Sequence, residues 1–176
     1  MHSSRPSPSE YAPYFGRYIT LVAENDFVAV LGRQPADYRT LLGNLSNEQA
    51  GYRYAPEKWS IRQVVGHVID AERIFAYRAL CIARGETASL HGFDENAYAK
   101  QAGHDACPQG ELLDEFAQVR QSNINLFEHM SNSAWERAGT VNQNAITTRG
   151  LGYILVGHAQ HHLGILKERY GAVLGA

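Results

Sequence analysis

Apolar positions between Tyr11 and Leu45 recur at helical spacing in three groups: Tyr14, Tyr18, Leu21 and Val22; Phe27, Val30 and Leu31; Tyr38, Leu41 and Leu42. Gly32 and Pro35 interrupt them, which predicts a helix that breaks and restarts. The following LSNEQAGYRYAPEK reads as a connector whose aromatic residues pack on the body of the protein. The clearest helix opens at Trp59-Ser60. Ser60 with Gln63 three residues later forms a capping box, and Ile61, Val64, Val65, Val68, Ile69 and Phe75 carry an apolar stripe to about Arg84, where Gly85 supplies a C-cap. Residues 86–106 read as a long loop, and loops of that length usually carry a function or little order. Pro108 suits the first turn of a third helix, with Leu112, Leu113, Phe116, Val119 and Phe127 as its apolar face, running to about Met130. A second connector, SNSAWERAGTVNQNA, leads to a fourth helix capped by Thr147 or Thr148, which runs from about Arg149 to Tyr170 and stops at Gly171. The pattern shows no strand alternation and no repeat. Four helical regions with long crossings predict an all-α four-helix bundle.

Composition narrows the function classes. The chain has 176 residues, 44% of them hydrophobic, enough for one core and short for two, so residues 10–176 are expected to form one domain behind a flexible Ser- and Pro-rich leader at 1–9. Sixteen basic against eighteen acidic side chains leave a net charge of -2, without the positive field that phosphate backbones require, so nucleic acid is not an expected partner. Cys81 and Cys107 lie apart with no CxxC spacing, which predicts reduced thiols. The N-terminus lacks an apolar signal region and no run reaches the length of a membrane span, so the sequence reads as a soluble, cytoplasmic protein with no membrane partner.

The candidate chemistry lies in GHAQHHLGIL, residues 157–166, which packs His158, His161 and His162 into five positions. Residues four apart share a helix face with Cβ atoms roughly 5–6 Å apart, so His158 and His162 can aim at one point. At about 100° per residue, His162 lies about 40° from His158 and His161 about 60° away on the other side, which favours His162 as the partner. Two rings hold a divalent ion poorly. His67, among Val64, Val65 and Val68, is the histidine in the middle of another strong helix and the candidate third ligand. Three histidines with open positions would make a catalytic rather than a structural metal site. The alternative is that these rings are satisfied core residues. Asp70, one turn beyond His67, and Arg78, farther along that side, are candidates to orient a ligand or a bound water, or ordinary helix-flank charges. Glu72 falls on another side, where a salt bridge or a loop cap suits it. HExxH is absent, so no zincin-type glutamate base accompanies the histidines.

KWSIRQVVGHVIDAERIFAYRALCIARGE, the GFDENAY loop and the late GHAQHHLGILKERYG helix together resemble the DinB-like superfamily, which includes bacillithiol-S-transferase-like and metal-dependent hydrolase groups. The likeness covers nearly the whole chain after the leader. It implies a bundle in crossed, up-down-down-up order and a metal on His67, His158 and His162, with zinc or nickel as the ion. It also implies a small-molecule substrate, either a low-molecular-weight thiol for S-transfer to an electrophile or a substrate for hydrolysis, because such a site can lower the pKa of a thiol or of water. A homodimer is a further implication. A non-catalytic metal-binding stress protein or dimeric scaffold is the alternative. The GFDENAY loop, with Phe93, Asp94 and Tyr98, is the candidate rim of the substrate pocket, or else a lid packed on the bundle end. Trp59 reads as a packing anchor rather than a substrate contact.

Overall fold

The computed structural model describes residues 4–23 and 27–174; residues 1–3 of the expected leader, and 24–26 and 175–176 of the expected domain, lie outside the described residues. Two 3-10 turns, Pro8–Glu10 and Pro13–Phe15, lead into α1 (Gly16–Ile19), α2 (Phe27–Leu42), α3 (Asn47–Ala50) and α4 (Ile61–Ala83). After α5 (Glu95–Gln101) and a 3-10 turn at His104–Ala106 come α6 (Gln109–Glu128) and α7 (Asn132–Glu136). A hairpin of β1 (Ala138–Val141) and β2 (Asn144–Thr147) precedes α8 (Thr148–Arg169) and the short α9 (Gly171–Leu174).

The long helices α2, α4, α6 and α8 form the bundle. α4 packs on α6 and α8, and α2 packs on the same two, so α2 lies diagonally across from α4. Side-chain bonds fix the directions. Tyr170 Oη donates to Trp59 O at 2.7 Å, joining the end of α8 to the start of α4, so these helices are antiparallel. Gln34 Nε2 donates to Val156 O and Tyr38 Oη to Ala159 O, in the same order along both chains, so α2 and α8 are parallel. Phe27 packs on Phe127 while Arg39 pairs with Asp114, so α2 and α6 are antiparallel. The order is therefore up-down-down-up. Among the described residues no helix is long and apolar enough to cross a membrane.

Local chemistry explains the boundaries. Ser60 Oγ accepts from Gln63 N at 3.0 Å and Gln63 Oε1 accepts from Ser60 N at 3.1 Å, the expected capping box. Thr147, not Thr148, caps α8 by accepting from Gly150 N at 2.9 Å. The expected break at Gly32 and Pro35 is not there, since α2 runs through both. A proline leaves the carbonyl four residues back without its donor. Arg120 Nη1 approaches that carbonyl, Leu31 O, at 3.4 Å from α6, and so compensates for the missing N–H.

Two further expectations need correction. The segment read as a loop at 86–106 contains α5, capped by the Asp94 carboxylate, which accepts from Asn96 N and Ala97 N. The connector read without strands contains the hairpin, whose two-residue turn places Asn142 and Gln143 at φ 47° and 65°, the left-handed pair of a type I′ turn. Leu90 joins its edge, donating to Thr140 O and accepting from Asn142 N. Residues 4–10 also touch the bundle: Glu10 pairs with Arg149 at 2.7 Å, and Arg149 Nη1 donates to Ser4 Oγ.

The core has an apolar cluster toward each end, one around Phe27, Phe127, Trp135 and Tyr153, the other around Tyr38, Val65, Phe116 and Leu163. Between them lies a polar layer. On one side of it Arg120 Nε meets Glu72 Oε2 at 2.9 Å, both side chains 1% exposed, with Asn123 and Gln34 bonded to the pair. This is the salt bridge expected of Glu72. On the other side lie the histidines.

Candidate metal centre

His67 projects from the second turn of α4, and His158 and His162 from successive turns of α8, the antiparallel neighbour. Their ring centroids lie 4.9 Å apart for His67 and His158, 4.8 Å for His67 and His162, and 4.5 Å for the α8 pair. One ligand nitrogen from each falls within 4.8 Å of the other two, and all three residues are buried. The structure therefore brings together the three histidines singled out in the sequence.

Two glycines allow this close packing. A Cβ at Gly157 would lie 2.1 Å from Tyr18 O, so its absence lets α1 press onto α8 beside His158. A Cβ at Gly66 would lie 2.2 Å from the His104 ring, which covers the outer side of α4 next to His67. Aromatic rings then hold the imidazoles: Trp59 at 4.8 Å from His67, Phe75 at 5.5 Å and Tyr18 at 5.4 Å from His158.

Burial sets the protonation states. Desolvation, with a smaller push from His104, lowers His67 to about 4, and desolvation followed by the neighbouring imidazoles holds His158 and His162 well below the ordinary histidine range. All three are neutral at pH 7, the form that offers a lone pair to a metal. His67 Nε2 and His158 Nε2 face each other at 3.0 Å, close to the roughly 3.3 Å expected for two nitrogens on one tetrahedral zinc at about 2.0–2.1 Å. His162 Nδ1 is buried without a hydrogen-bond partner. A converging set of neutral nitrogens with an orphan among them fits a divalent metal. Among the described residues no carboxylate or thiol joins the cluster, which leaves ligand positions open.

The triad forms part of the wall of a cavity of about 570 Å³, within the range of small-molecule sites. Tyr18, Trp59 and Phe75 line it near the histidines, while Arg78, Phe93 and Asn142 line it farther out. Among the other candidates, Phe93 and Arg78 reach this cavity. Asp70 does not: it is half-buried, and its electrostatic neighbours are His104, Arg73 and Glu115 on the other side of α4. Asp94 is exposed and spent on capping α5, and Tyr98, 50% exposed, lines a shallower hollow beside Phe93. His161, left open in the sequence, lines the cavity next to Tyr18 and His162 but lies outside the triad. Trp59 is more than the expected packing anchor, since its ring lies on His67 and lines the cavity. A tryptophan two residues before a helix is not distinctive in sequence. Its position eight residues before His67, however, puts it near the same end of α4.

Comparison with known proteins agrees with this architecture. A Geobacillus kaustophilus (strain HTA426) protein named "Putative metal-dependent hydrolase GK0616" is 30% identical over 82 residues, a match spanning 47% of this chain and 45% of that relative. The match thus spans about half the length of the curated relative. The solved structure of YfiT from Bacillus subtilis, described as "a probable metal-dependent hydrolase with an unusual four-helix bundle topology", superposes with a TM-score of 0.74 at 20% identity, covering 94% of this chain and 93% of that one. The model of the DinB superfamily matches residues 31–166, and the chain belongs to that superfamily.

Proposed function

We propose that the protein is a metal-dependent enzyme acting on a small molecule, with His67, His158 and His162 holding a divalent transition ion, zinc or nickel. The observation that carries this reading is the convergence of three neutral, buried imidazoles within 4.8 Å on the wall of a cavity. When bound, the ion would supply Lewis acidity, which lowers the pKa of water or of a thiol at neutral pH. The chain's own residues do the rest. Trp59, Phe75 and Tyr18 exclude water from the rings and fix their orientation. His161, whose pKa burial lowers, presents a neutral ring to the cavity and is placed to accept a proton from the attacking group. Tyr18 is pushed above its ordinary range by burial, so its hydroxyl stays protonated and serves as a donor.

Hydrolysis is the first reading, supported by the names given to the Geobacillus and Bacillus proteins. Transfer of a low-molecular-weight thiol is the second. It is favoured by the lining, in which Glu95, exposed at the rim, is the carboxylate among the described residues. With no buried carboxylate lining the cavity among the described residues, a nucleophile that ionises more readily than water has the advantage.

The test loads the protein with zinc or nickel and screens a panel of esters and amides alongside monochlorobimane or chlorodinitrobenzene with several thiols. Turnover of either class that disappears on chelation and returns with metal supports the reading. Rates equal to those of free metal across both panels contradict it.

A further inference from the structure

The cavity has a second polar feature, away from the triad. Arg78 is only 6% exposed and lines the cavity, yet among the described residues no carboxylate forms an ion pair with it. The bundle's other deeply buried arginine, Arg120, is matched by Glu72. Burying a guanidinium costs several kcal/mol unless a charge or a full set of acceptors compensates. Arg78 spends one donor, Nη2 to His91 O at 2.6 Å, of the five a guanidinium carries. None of its nitrogens is sealed from solvent without a partner, so the unused donors open toward the space it lines.

The position relative to the histidines is also informative. Arg78 follows His67 by eleven residues on α4, which at about 100° per residue returns it to within about 20° of the same face, roughly 16 Å along the axis. Helical side chains lean toward the N-terminus, so the arginine leans back along α4 toward the triad. Phe75 bridges the two, its ring 5.5 Å from that of His158 and 5.9 Å from the guanidinium carbon, and Phe93 lies 5.5 Å from the same carbon. The lining carries Arg17 and Arg78 against Glu95, and a bound divalent ion would add to the positive side.

The geometry points to Arg78 as the anchor for an anionic group, a carboxylate or phosphate, on a small substrate whose apolar body lies against Phe75 and Phe93 and whose reacting end reaches the histidines. The position of the reacting end rests on the triad being the metal centre; the anion site does not. A guanidinium fork matches either oxyanion in two-point fashion, and the flanking rings sharpen that contact by excluding water.

The experiment titrates benzoate, phenyl phosphate and neutral benzamide into wild type and Arg78→Gln by calorimetry, using both EDTA-treated and zinc-loaded protein. Histidine-ring NMR of His161 reports binding in this cavity rather than in the shallower hollow that Arg78 and Phe93 also line. Wild type is expected to prefer at least one of the anions over benzamide and to shift the His161 ring signals. Arg78→Gln should weaken anion binding at least tenfold, leave benzamide within twofold and keep zinc content unchanged. The stronger of benzoate and phenyl phosphate identifies the oxyanion. Because the EDTA-treated arm carries no metal, failure of zinc uptake would count against the triad reading while the anion result still stands or falls alone. Equal anion affinity in wild type and Arg78→Gln, no preference of wild type for either anion over benzamide, or anion binding that leaves His161 unmoved would each overturn the inference. If circular dichroism shows Arg78→Gln unfolded, protection decides: benzoate or phenyl phosphate should slow phenylglyoxal modification of Arg78 in wild type severalfold by mass spectrometry, and no protection by either overturns the inference.

Discussion

Replacing Gly157 with alanine should destabilise the protein, whereas the same change seven residues later on the same helix should stabilise it. A Cβ at Gly157 would sit 2.1 Å from Tyr18 O and 2.5 Å from Tyr18 C, both backbone atoms of α1. Ordinary Cβ contact begins near 3.4 Å, so α1 would have to retreat by roughly 1.3 Å, and no side-chain rotation can substitute for that movement. Overpacking of this kind costs about 1–3 kcal/mol. Gly164 is exposed in the same helix with nothing within 4 Å of its would-be Cβ. There alanine gains the helix propensity that glycine lacks, about 0.5–1 kcal/mol. For a chain of this length each kcal/mol moves the melting temperature by roughly 2–4 °C. Thermal melts followed by circular dichroism should therefore show Gly157→Ala lower by roughly 2–12 °C and Gly164→Ala higher by roughly 1–4 °C. Because Tyr18 lines the cavity, Gly157→Ala should also change the His158 environment. A Gly157→Ala melt at or above that of wild type would refute the proposed close approach of α1 to α8.

Glu72→Ala strands the buried Arg120 guanidinium and should cost about 3–5 kcal/mol in denaturant unfolding, while adding Arg120→Met should recover part of it; a single variant within 1 kcal/mol of wild type would deny the pair its buried character. The buried histidines make the metal-free protein sensitive to acid. With His67 held near 4 when folded and about 6.5 when unfolded, the unfolded chain binds more protons between those values, so stability is full above about pH 6.5 and lost as pH falls toward 4. His67 alone should account for about 2 kcal/mol between pH 7 and pH 5 in EDTA-treated protein, and His67→Gln should flatten that slope; parallel slopes in the two proteins would contradict the assigned burial.

Much of this was legible in the sequence wherever one local rule dominates. Ser60 and Gln63 announce α4 because a capping box is a property of four consecutive residues. The spacing of His158 and His162 places both on one face whatever surrounds them. Tertiary effects were harder to read. Pro35 looks like a helix breaker until Arg120, 85 residues later, turns up beside the carbonyl that Pro35 leaves without its donor. The hairpin is hard to see in the sequence because four-residue strands show little alternation and its turn uses Asn142-Gln143 where Asn-Gly would be the strong signal. α5 is equally hard to see because its seven residues carry a single buried side chain, Ala99, and so no apolar stripe. Asp70 and Arg78 look alike as charges near His67, but helical phase separates them: eleven residues return to within about 20° of His67, whereas three leave Asp70 about 60° to one side, where it faces His104, Arg73 and Glu115.

The central claim is that three histidines from two antiparallel helices hold one metal ion. Elemental analysis tests it most directly, on protein purified without a chelator or polyhistidine tag, comparing wild type with His67→Ala, His158→Ala and His162→Ala. About one equivalent of a divalent transition metal in wild type, lost in each variant while helix content stays native, is the predicted result. Metal-free wild type that takes up no zinc or nickel on addition, or full occupancy in any of the three folded variants, would contradict it.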